Sequence, residues 1–494
     1  MNNPSISKSK FLSGFQCPKL LWFYYHAKDK FPSVDEQTEA KFNQGKQVGL
    51  LAQSLFPGGI TIDHNPVLQK TFKISRNLLP QRKPLFEAGF NHGRAFAIAD
   101  ILNPVRSNKW DIIEVKMGTR SKPENLQDIA FQRYCYEGAG IPIGRCYLMH
   151  INPKYKRHGA IDPKHLFVSE DVTDSLKELL KDMKDRIKKM LDIIDSKKCP
   201  EIDIGLHCDA PYERALNSIC WKKVYKHENN VFTLREPRKR DWKLYKTGVL
   251  TNDDIPADLS LTTKQKIQLA AEKSGRLQVD KRAVKKFLKK LRYPLYYMDF
   301  ETFGLNVPIP LIDKTRPYQH VPFQYSVHYQ RSAGGTLDHH SWIWDGKGDP
   351  RKELLARLQR LLGKRGSIVA YNAAYEIRML NESAAEYPKY AKWVKDISAR
   401  TIDLLEPFRN FTVYHADQHG SASLKAVLPA LTGAGYDNMA ISDGGQASQE
   451  FVDIMFGNST AEQRQTLIKN LEQYCSQDTL GMVDIMSRLT ELNE

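Results

Sequence analysis

The stretch YPLYYMDFET, residues 293–302, reads as a buried strand, yet Asp299 and Glu301 stand near its end. Side chains two apart on a strand share a face. Two carboxylates side by side repel, and burying them is costly unless a cation sits between them. The chemistry this pattern predicts is a divalent metal site, Mg2+ or Mn2+, completed by further oxygen ligands. YNAAYEIRML places Asn372 and Glu376 four apart at a helix start, and YCSQD places Tyr474 and Asp478 four apart on a last helix; such pairs share a helix face. Asp403, in RTIDLL, is a further acid that either assists or caps a helix.

A second constellation lies in the N-terminal half. Asp100 ends AFAIAD, and DIIEVKM carries Glu114 and Lys116 on one face with Val115 expected in the core. An Asp and a Glu can hold a divalent cation. A neighbouring Lys can position or deprotonate water and offset phosphate charge.

Stepping outward, strands are predicted at 95–102, 110–117 and 145–151, with a helix at about 123–137 between the last two. An amphipathic helix follows, with Leu176, Leu179, Leu180, Met183, Ile187, Met190, Leu191 and Ile194 at helical spacing. Residues 223–290 read as a basic connector with short helices, in contact with phosphates or simply solvated. Arg238, Lys239, Arg240 and Lys243 are its candidate phosphate contacts. A second α/β module starts at Tyr293, with strands at 294–301 and 323–330, SIVAYN, a helix from about Ala373, a Gly-rich loop at 432–445 and a last helix at 461–491. The expected domains are 1–222, 223–290 and 291–494.

The 494 residues exceed one ordinary core, and 73 Lys and Arg against 57 Asp and Glu give a net charge of +16. That balance favours a polyanionic partner, nucleic acid above all. The start has no apolar core of a secretory signal and no stretch is long enough to span a membrane, so a cytoplasmic protein is expected. The seven Cys then read as metal ligands or buried thiols rather than disulfides. Cys135, Cys146 and Cys475 fall inside predicted elements and read as buried small hydrophobes.

The C-terminal set resembles the DnaQ-like, or DEDD, exonucleases on a ribonuclease H-like fold. Asp299 and Glu301 match the first motif, Glu376 stands where the second has an Asp after the Asn, and Tyr474 with Asp478 matches the Tyr-x-x-x-Asp third motif. The resemblance implies two-metal hydrolysis from a 3′ end: Asp299 bridging both ions, Glu301 and Asp478 holding one, Tyr474 orienting water. The N-terminal set resembles the PD-(D/E)XK, restriction-endonuclease-like superfamily in its RecB-type branch, which includes the CRISPR-associated iron-sulfur exonuclease. Gln132 and Tyr136 fit that branch's Q-x-x-x-Y pattern, which contacts a DNA end, and Glu87 its early acid. Gln44 and Gln47 stand where its first helix often has a metal-binding His.

The iron-sulfur members use four Cys. Here Cys17, Cys199, Cys208 and Cys220 are the available ligands, with Arg214 where relatives carry a Cys; a [4Fe–4S] cluster, a zinc site and no metal are the alternatives. Together the halves resemble a bacterial family joining a RecB-like nuclease to a C-terminal domain of unknown function that begins at the MDFET strand, with HVPFQYSVH and SASLKAVLPAL also fitting. The implied function is a metal-dependent nuclease with two centres acting on DNA ends. The rivals are a nucleic-acid-binding protein with decayed centres and an RNA-processing exonuclease.

Overall fold

A computed structural model describes residues 4–33, 36–63, 65–213, 215–237, 239–309, 311–437 and 439–494. The chain is mixed α/β and divides into two compact units. The first comprises Met1–Lys222 with Leu305–Ile309 and Lys314–Tyr318; the second comprises Lys223–Gly304, Pro310–Asp313 and Gln319–Glu494. Residues 223–290 thus fall within the second unit.

The first unit is built on a seven-stranded sheet. Its strands are β1 (Ile6–Ser7), β2 (Ile60–Thr61), β3 (Leu85–His92), β4 (Ala95–Pro104), β5 (Trp110–Lys116), β6 (Ile143–Ile151) and β7 (Phe167–Asp171), in the order β2-β3-β4-β5-β6-β7 with β1 beside β4. β3, β4 and β5 run antiparallel, β6 is parallel to β5, and β7 is antiparallel to β6. The helix Pro123–Gly138 links β5 to β6, as a parallel pair requires. Its Ile129, Ala130, Phe131 and Cys135 are buried on the sheet, and Phe11 of the helix Lys8–Gln16 stacks on Phe131.

The single amphipathic helix expected around 176–194 is broken. Lys177–Lys181 ends at Asp182, and Met183–Asp195 starts anew. Asp182 has φ −109° and ψ 9°, outside the helix, and its carboxylate accepts from Arg186 Nε and Nη2. The element is interrupted without changing its apolar face. Met183, Ile187, Met190 and Ile194 still point into the core.

The second unit carries two sheets. A two-stranded ribbon pairs β8 (Gln278–Val279) with β14 (Val413–Tyr414). The main sheet has β9 (Leu295–Phe303), β10 (Val321–Gln330), β11 (Leu337–Ile343), β12 (Ser367–Ala370) and β13 (Thr401–Asp403), in the order β11-β10-β9-β12-β13. β9, β10 and β11 are antiparallel neighbours, whereas β12 and β13 run parallel to β9. β9 is central and nearly continuous in apolar side chains, as a strand covered on both faces must be.

The long helix Ala461–Asn493 packs across this sheet through Leu467, Leu471, Met482, Ile485 and Leu489. Thr460 and Gln463 cap it reciprocally: Gln463 N donates to Thr460 Oγ1 and Thr460 N to Gln463 Oε1. A Cβ at Gly481 would meet Leu428 Cδ2 at 2.7 Å, so only Gly allows the close approach of this helix to Leu424–Thr432. The Gly-rich loop expected over 432–445 gives way at Gly444 to a helix, Gly444–Phe456. The connector segments do form short helices, Arg240–Lys246, Thr263–Ser274 and Lys281–Leu288.

Candidate functional site

In the first unit, the β-ladder brings three acids into one row. The pairs Phe86↔Ile101 and Ala88↔Ala99 leave Glu87 opposite Asp100. One step from Ile101↔Ile113, Asp100 stands opposite Glu114. Glu87 has φ +57°, the left-handed region, in the middle of a strand. A non-glycine residue held there is strained, and such strain collects at functional sites.

Glu114 is buried at 2 % exposure, and its contacts explain why that is tolerated. Lys8 Nζ and Lys116 Nζ both donate to Glu114 Oε1 at 2.7 Å, and Gln132 Nε2 donates to Oε2 at 2.7 Å. Lys116 also donates to Asp128 Oδ2 at 2.6 Å. Burial alone would push the Glu114 carboxyl up, but the Lys116 and Lys8 ammoniums outweigh it and hold the carboxyl well below its ordinary range. Asp100 shows the opposite balance. Burial and the Glu114 charge push it up to about 7, although Val115 N donates to its Oδ2 at 2.7 Å.

A cleft of about 500 Å³ opens on Asp100, Glu87 and Lys116, walled by Gly45, Lys46 and Gln53. Those three come from the helix Glu36–Gln53. Gln44 and Gln47, which stand where the resemblance has a metal-binding His, do not line the cleft; Lys46 and Gln53 do. Val115, expected in the core, is half-buried and lines the cleft, because Glu114 takes the buried face. Gln132 reaches the centre through Glu114. Tyr136 does not reach outward: it is fully buried, accepts from Ala99 N at 3.0 Å and donates to Ala88 O, and so ties the two acid-bearing strands β3 and β4 together. Sequence reasoning missed Lys8 and Asp128. Asp128 sits one turn before Gln132, a spacing that could have pointed to it.

In the second unit, β9 delivers Asp299 and Glu301, the helix Ala374–Glu386 delivers Glu376, and Ala461–Asn493 delivers Tyr474, Cys475 and Asp478. Glu301, Glu376 and Asp478 are buried at 6, 3 and 7 % exposure. Among the described residues none of the four carboxylates makes a salt bridge, and Glu376 Oε2 is buried without a hydrogen-bond partner. Burial first, then each other's charge, pushes Asp299, Glu301 and Glu376 well up; Asp478 rises to about 6 through burial. Tyr436 OH donates to Asp478 Oδ1 at 2.5 Å and, with Lys425 nearby, moderates that rise. Lys425 Nζ lies 5.3 Å from the Tyr474 ring centre and 5.6 Å from that of Tyr436.

Asp299, Glu301 and Cys475 offer ligand atoms within 4.8 Å of one another, the sole such group among the described residues. Cys475 is therefore not merely a small core residue: its Sγ lies 3.8 Å from Asp299 Oδ2. Cys135 and Cys146 are buried in the first unit's apolar core. Asp403 stands on β13 and holds a turn rather than the acid centre. Its Oδ1 accepts from the amides of Asn372, Ala373 and Leu405, and Arg409 donates to its Oδ2 at 3.0 Å. This clamps Asn372 at φ +68°, just ahead of the Glu376 helix. Tyr436 and Lys425 are missed by sequence reasoning: Tyr436 sits in a loop with no periodicity to betray it, and Lys425 is one charge at the start of the helix Leu424–Thr432.

Cys17, Cys208 and Cys220 line one pocket with Gln16, His207 and Trp221. Cys199 packs with Cys17 and Cys220 in the same apolar cluster. Burial pushes the Cys17 thiol up, while the backbone amides of Leu20 and Lys19 pull it down at the start of the helix Pro18–His26. A tetrahedral zinc site, with Zn–S near 2.3 Å, needs sulfurs about 4 Å apart. Among the described residues these sulfurs do not form a group of three within 4.8 Å of one another. Arg214 lies outside the described residues, as does Arg238. Of the other connector cations, Arg240 is tied to Gln265 Oε1 at 2.9 Å, and Lys239 and Lys243 are exposed.

Residues 296–423 match a family described as a domain of unknown function (DUF2779). The match takes in Asp299, Glu301, Asn372, Glu376 and Asp403 and stops before Tyr436, Tyr474 and Asp478. It assigns a domain at the MDFET strand, not an activity. No curated protein matches the chain. No described helix is long and apolar enough to cross a membrane.

Proposed function

We propose that the chain is a metal-dependent nuclease that hydrolyses phosphodiester bonds of nucleic acid, DNA ends above all. The observation that carries this is the group Asp299, Glu301, Glu376 and Asp478: four carboxylates on three elements, three buried and Asp299 half-buried, without a paired cation among the described residues. Such a group is stable at neutral pH only with bound protons or a bound cation. The sheet order β11-β10-β9-β12-β13, with β9 central and β10 antiparallel to it, supports the ribonuclease H-like reading. Antiparallel β3-β4-β5 leading through a helix to parallel β6 supports the PD-(D/E)XK reading of the first unit.

Asp299, Glu301 and Asp478 would hold Mg2+ or Mn2+, with Glu376 reaching toward Asp299. The ion supplies charge neutralisation at the phosphate and a more acidic water. Tyr436 and Tyr474 fix the Asp478 carboxylate, and the buried walls exclude bulk water. In the first unit Asp100 and Glu114, with Glu87, are the corresponding ligands, and Lys116 stands where it can offset phosphate charge. The Cys17, Cys199, Cys208 and Cys220 set is read as the holder of a [4Fe–4S] cluster joining the N-terminal helices to the segment after β7.

A second reading applies to the first centre. Glu114 is already neutralised by Lys8 and Lys116, which favours a site that binds nucleic acid without cutting it. The test is digestion of end-labelled DNA and RNA, single- and double-stranded, with Mn2+, by the wild type, Asp299→Ala and Lys116→Ala. Two activities that differ in substrate and are lost separately support two centres. Cleavage lost only in Asp299→Ala supports the binding reading for the first. Cleavage that survives EDTA sinks the metal mechanism.

A further inference from the structure

Beside the acid centre of the second unit lies a cleft of about 660 Å³, lined by Arg235, Tyr371, Asn372, Arg409, Ser421 and Ser423 among others. Tyr371 and Asn372 directly precede the helix that carries Glu376. The two guanidiniums are held, but not used up. Arg235 Nη1 donates to Gly420 O at 3.2 Å, and its plane lies 5.5 Å from the Phe411 ring centre. Its Nε is buried and has no hydrogen-bond acceptor. The Glu236 carboxylate is 3.7 Å from that Nε, beyond hydrogen-bond length. Arg409 is about half exposed and gives Nη2 to Asp403, one donor of five. The Tyr371 hydroxyl donates to Ala422 O at 2.7 Å, which leaves its ring as the wall. A volume of this size takes a nucleotide-sized group, and planar forks match phosphate oxygens.

We propose that this cleft holds the sugar-phosphate backbone of a nucleic-acid strand away from the bond being cut, with Arg235 and Arg409 on its phosphates. This rests on the nuclease reading of the acid centre and adds the polymer to it: a strand gains contacts here that a minimal phosphodiester lacks. Asn372 and the serine hydroxyls supply uncharged donors to sugar or phosphate oxygens.

The experiment measures binding in EDTA, so that cleavage plays no part. Single linkages of a fluorescent 12-residue oligodeoxynucleotide are replaced one at a time by uncharged methylphosphonate. Wild type should lose about ten-fold in affinity at one or two linkages near the 3′ end, the worth of a charge-assisted contact. The Arg235→Gln, Arg409→Gln double variant should bind the unmodified strand more weakly, lose no more at those linkages, and show a salt slope lower by about 0.7 per lost phosphate. Arg235→Gln alone serves if loss of the Arg409–Asp403 pair unfolds the double variant, with circular dichroism as the check. Losses spread evenly along the strand, or equal in variant and wild type, overturn the proposal. Competition by dAMP that matches a whole strand also overturns it, by making this a mononucleotide site. The linkage pattern without any cleavage leaves the cleft standing and removes the nuclease reading; cleavage with a flat pattern does the reverse.

Discussion

Lys8 and Lys116 donate to the same oxygen of Glu114, each at 2.7 Å, from segments more than 100 residues apart. The two ammoniums repel each other, and the Glu114 and Asp128 carboxylates between them offset that repulsion. The first centre is therefore a balanced buried network, and removing one cation unbalances it. Lys8→Met should destabilise the protein by about 1–3 kcal/mol, with Lys116 retaining part of the compensation. Lys8→Met combined with Glu114→Gln should cost less than the sum of the two single changes. Urea denaturation of the four proteins measures this; strict additivity would show that the two residues are not coupled.

The second centre carries the opposite imbalance. Glu376 Oε2 is buried without a partner, so ionising this carboxyl lowers the stability of the metal-free fold. Glu376→Gln, nearly the same shape, should raise the melting temperature in EDTA, a gain of about 1–2 kcal/mol. The same change should weaken Mn2+ binding. A variant less stable than wild type in EDTA would mean that Glu376 is satisfied as it stands.

The pH dependence follows from the raised carboxyls. Asp478 moves from 3.8 to about 6 and Asp100 from 3.8 to about 7. Between about pH 4 and pH 7 the folded state holds protons that the unfolded chain has released. Folding stability in EDTA should fall as pH rises through that window, with the full contribution present below about pH 4. Mn2+ should restore more stability at pH 7.5 than at pH 5. Melting curves at both values, with and without Mn2+, decide; a stability that rises from pH 5 to 7 in EDTA would contradict the buried, unpaired state of these acids.

For the cysteines, protein prepared without oxygen should contain iron and sulfide and absorb broadly near roughly 400 nm. Cys199→Ser should lower the iron content and the melting temperature. Zinc in place of iron would assign the four thiols to a zinc site, and wild-type iron content in Cys199→Ser would remove that residue from the ligand set.

Much of the acid geometry is legible in the sequence. Asp299 and Glu301 announce themselves because carboxylates two apart in an apolar strand violate the cost of burial. Glu114 and Lys116 do so for the same reason. The positions of Tyr474 and Asp478 followed from helical spacing. What stayed hidden came from elsewhere in the chain. Lys8 lies on a short helix and looks like any surface lysine until the fold presses it against Glu114. Tyr436 sits in a Gly-rich loop with no pattern to read. Arg235 and Arg409 meet in one cleft although neither belongs to a motif. The break at Asp182 is hidden because the apolar periodicity runs straight through it.

The long helix Ala461–Asn493 has a consequence for how the protein is made. Asp299 waits on β9, while its neighbours on that helix are 176 residues further along the chain at Cys475. During synthesis, β9 leaves the ribosome before them. The acid centre cannot be assembled until the last helix has emerged and docked, so a half-made chain carries strands and clefts but no complete set of ligands. A chain cut before Ala461 therefore keeps Asp299 and Glu301 on β9 but lacks Tyr474, Cys475 and Asp478.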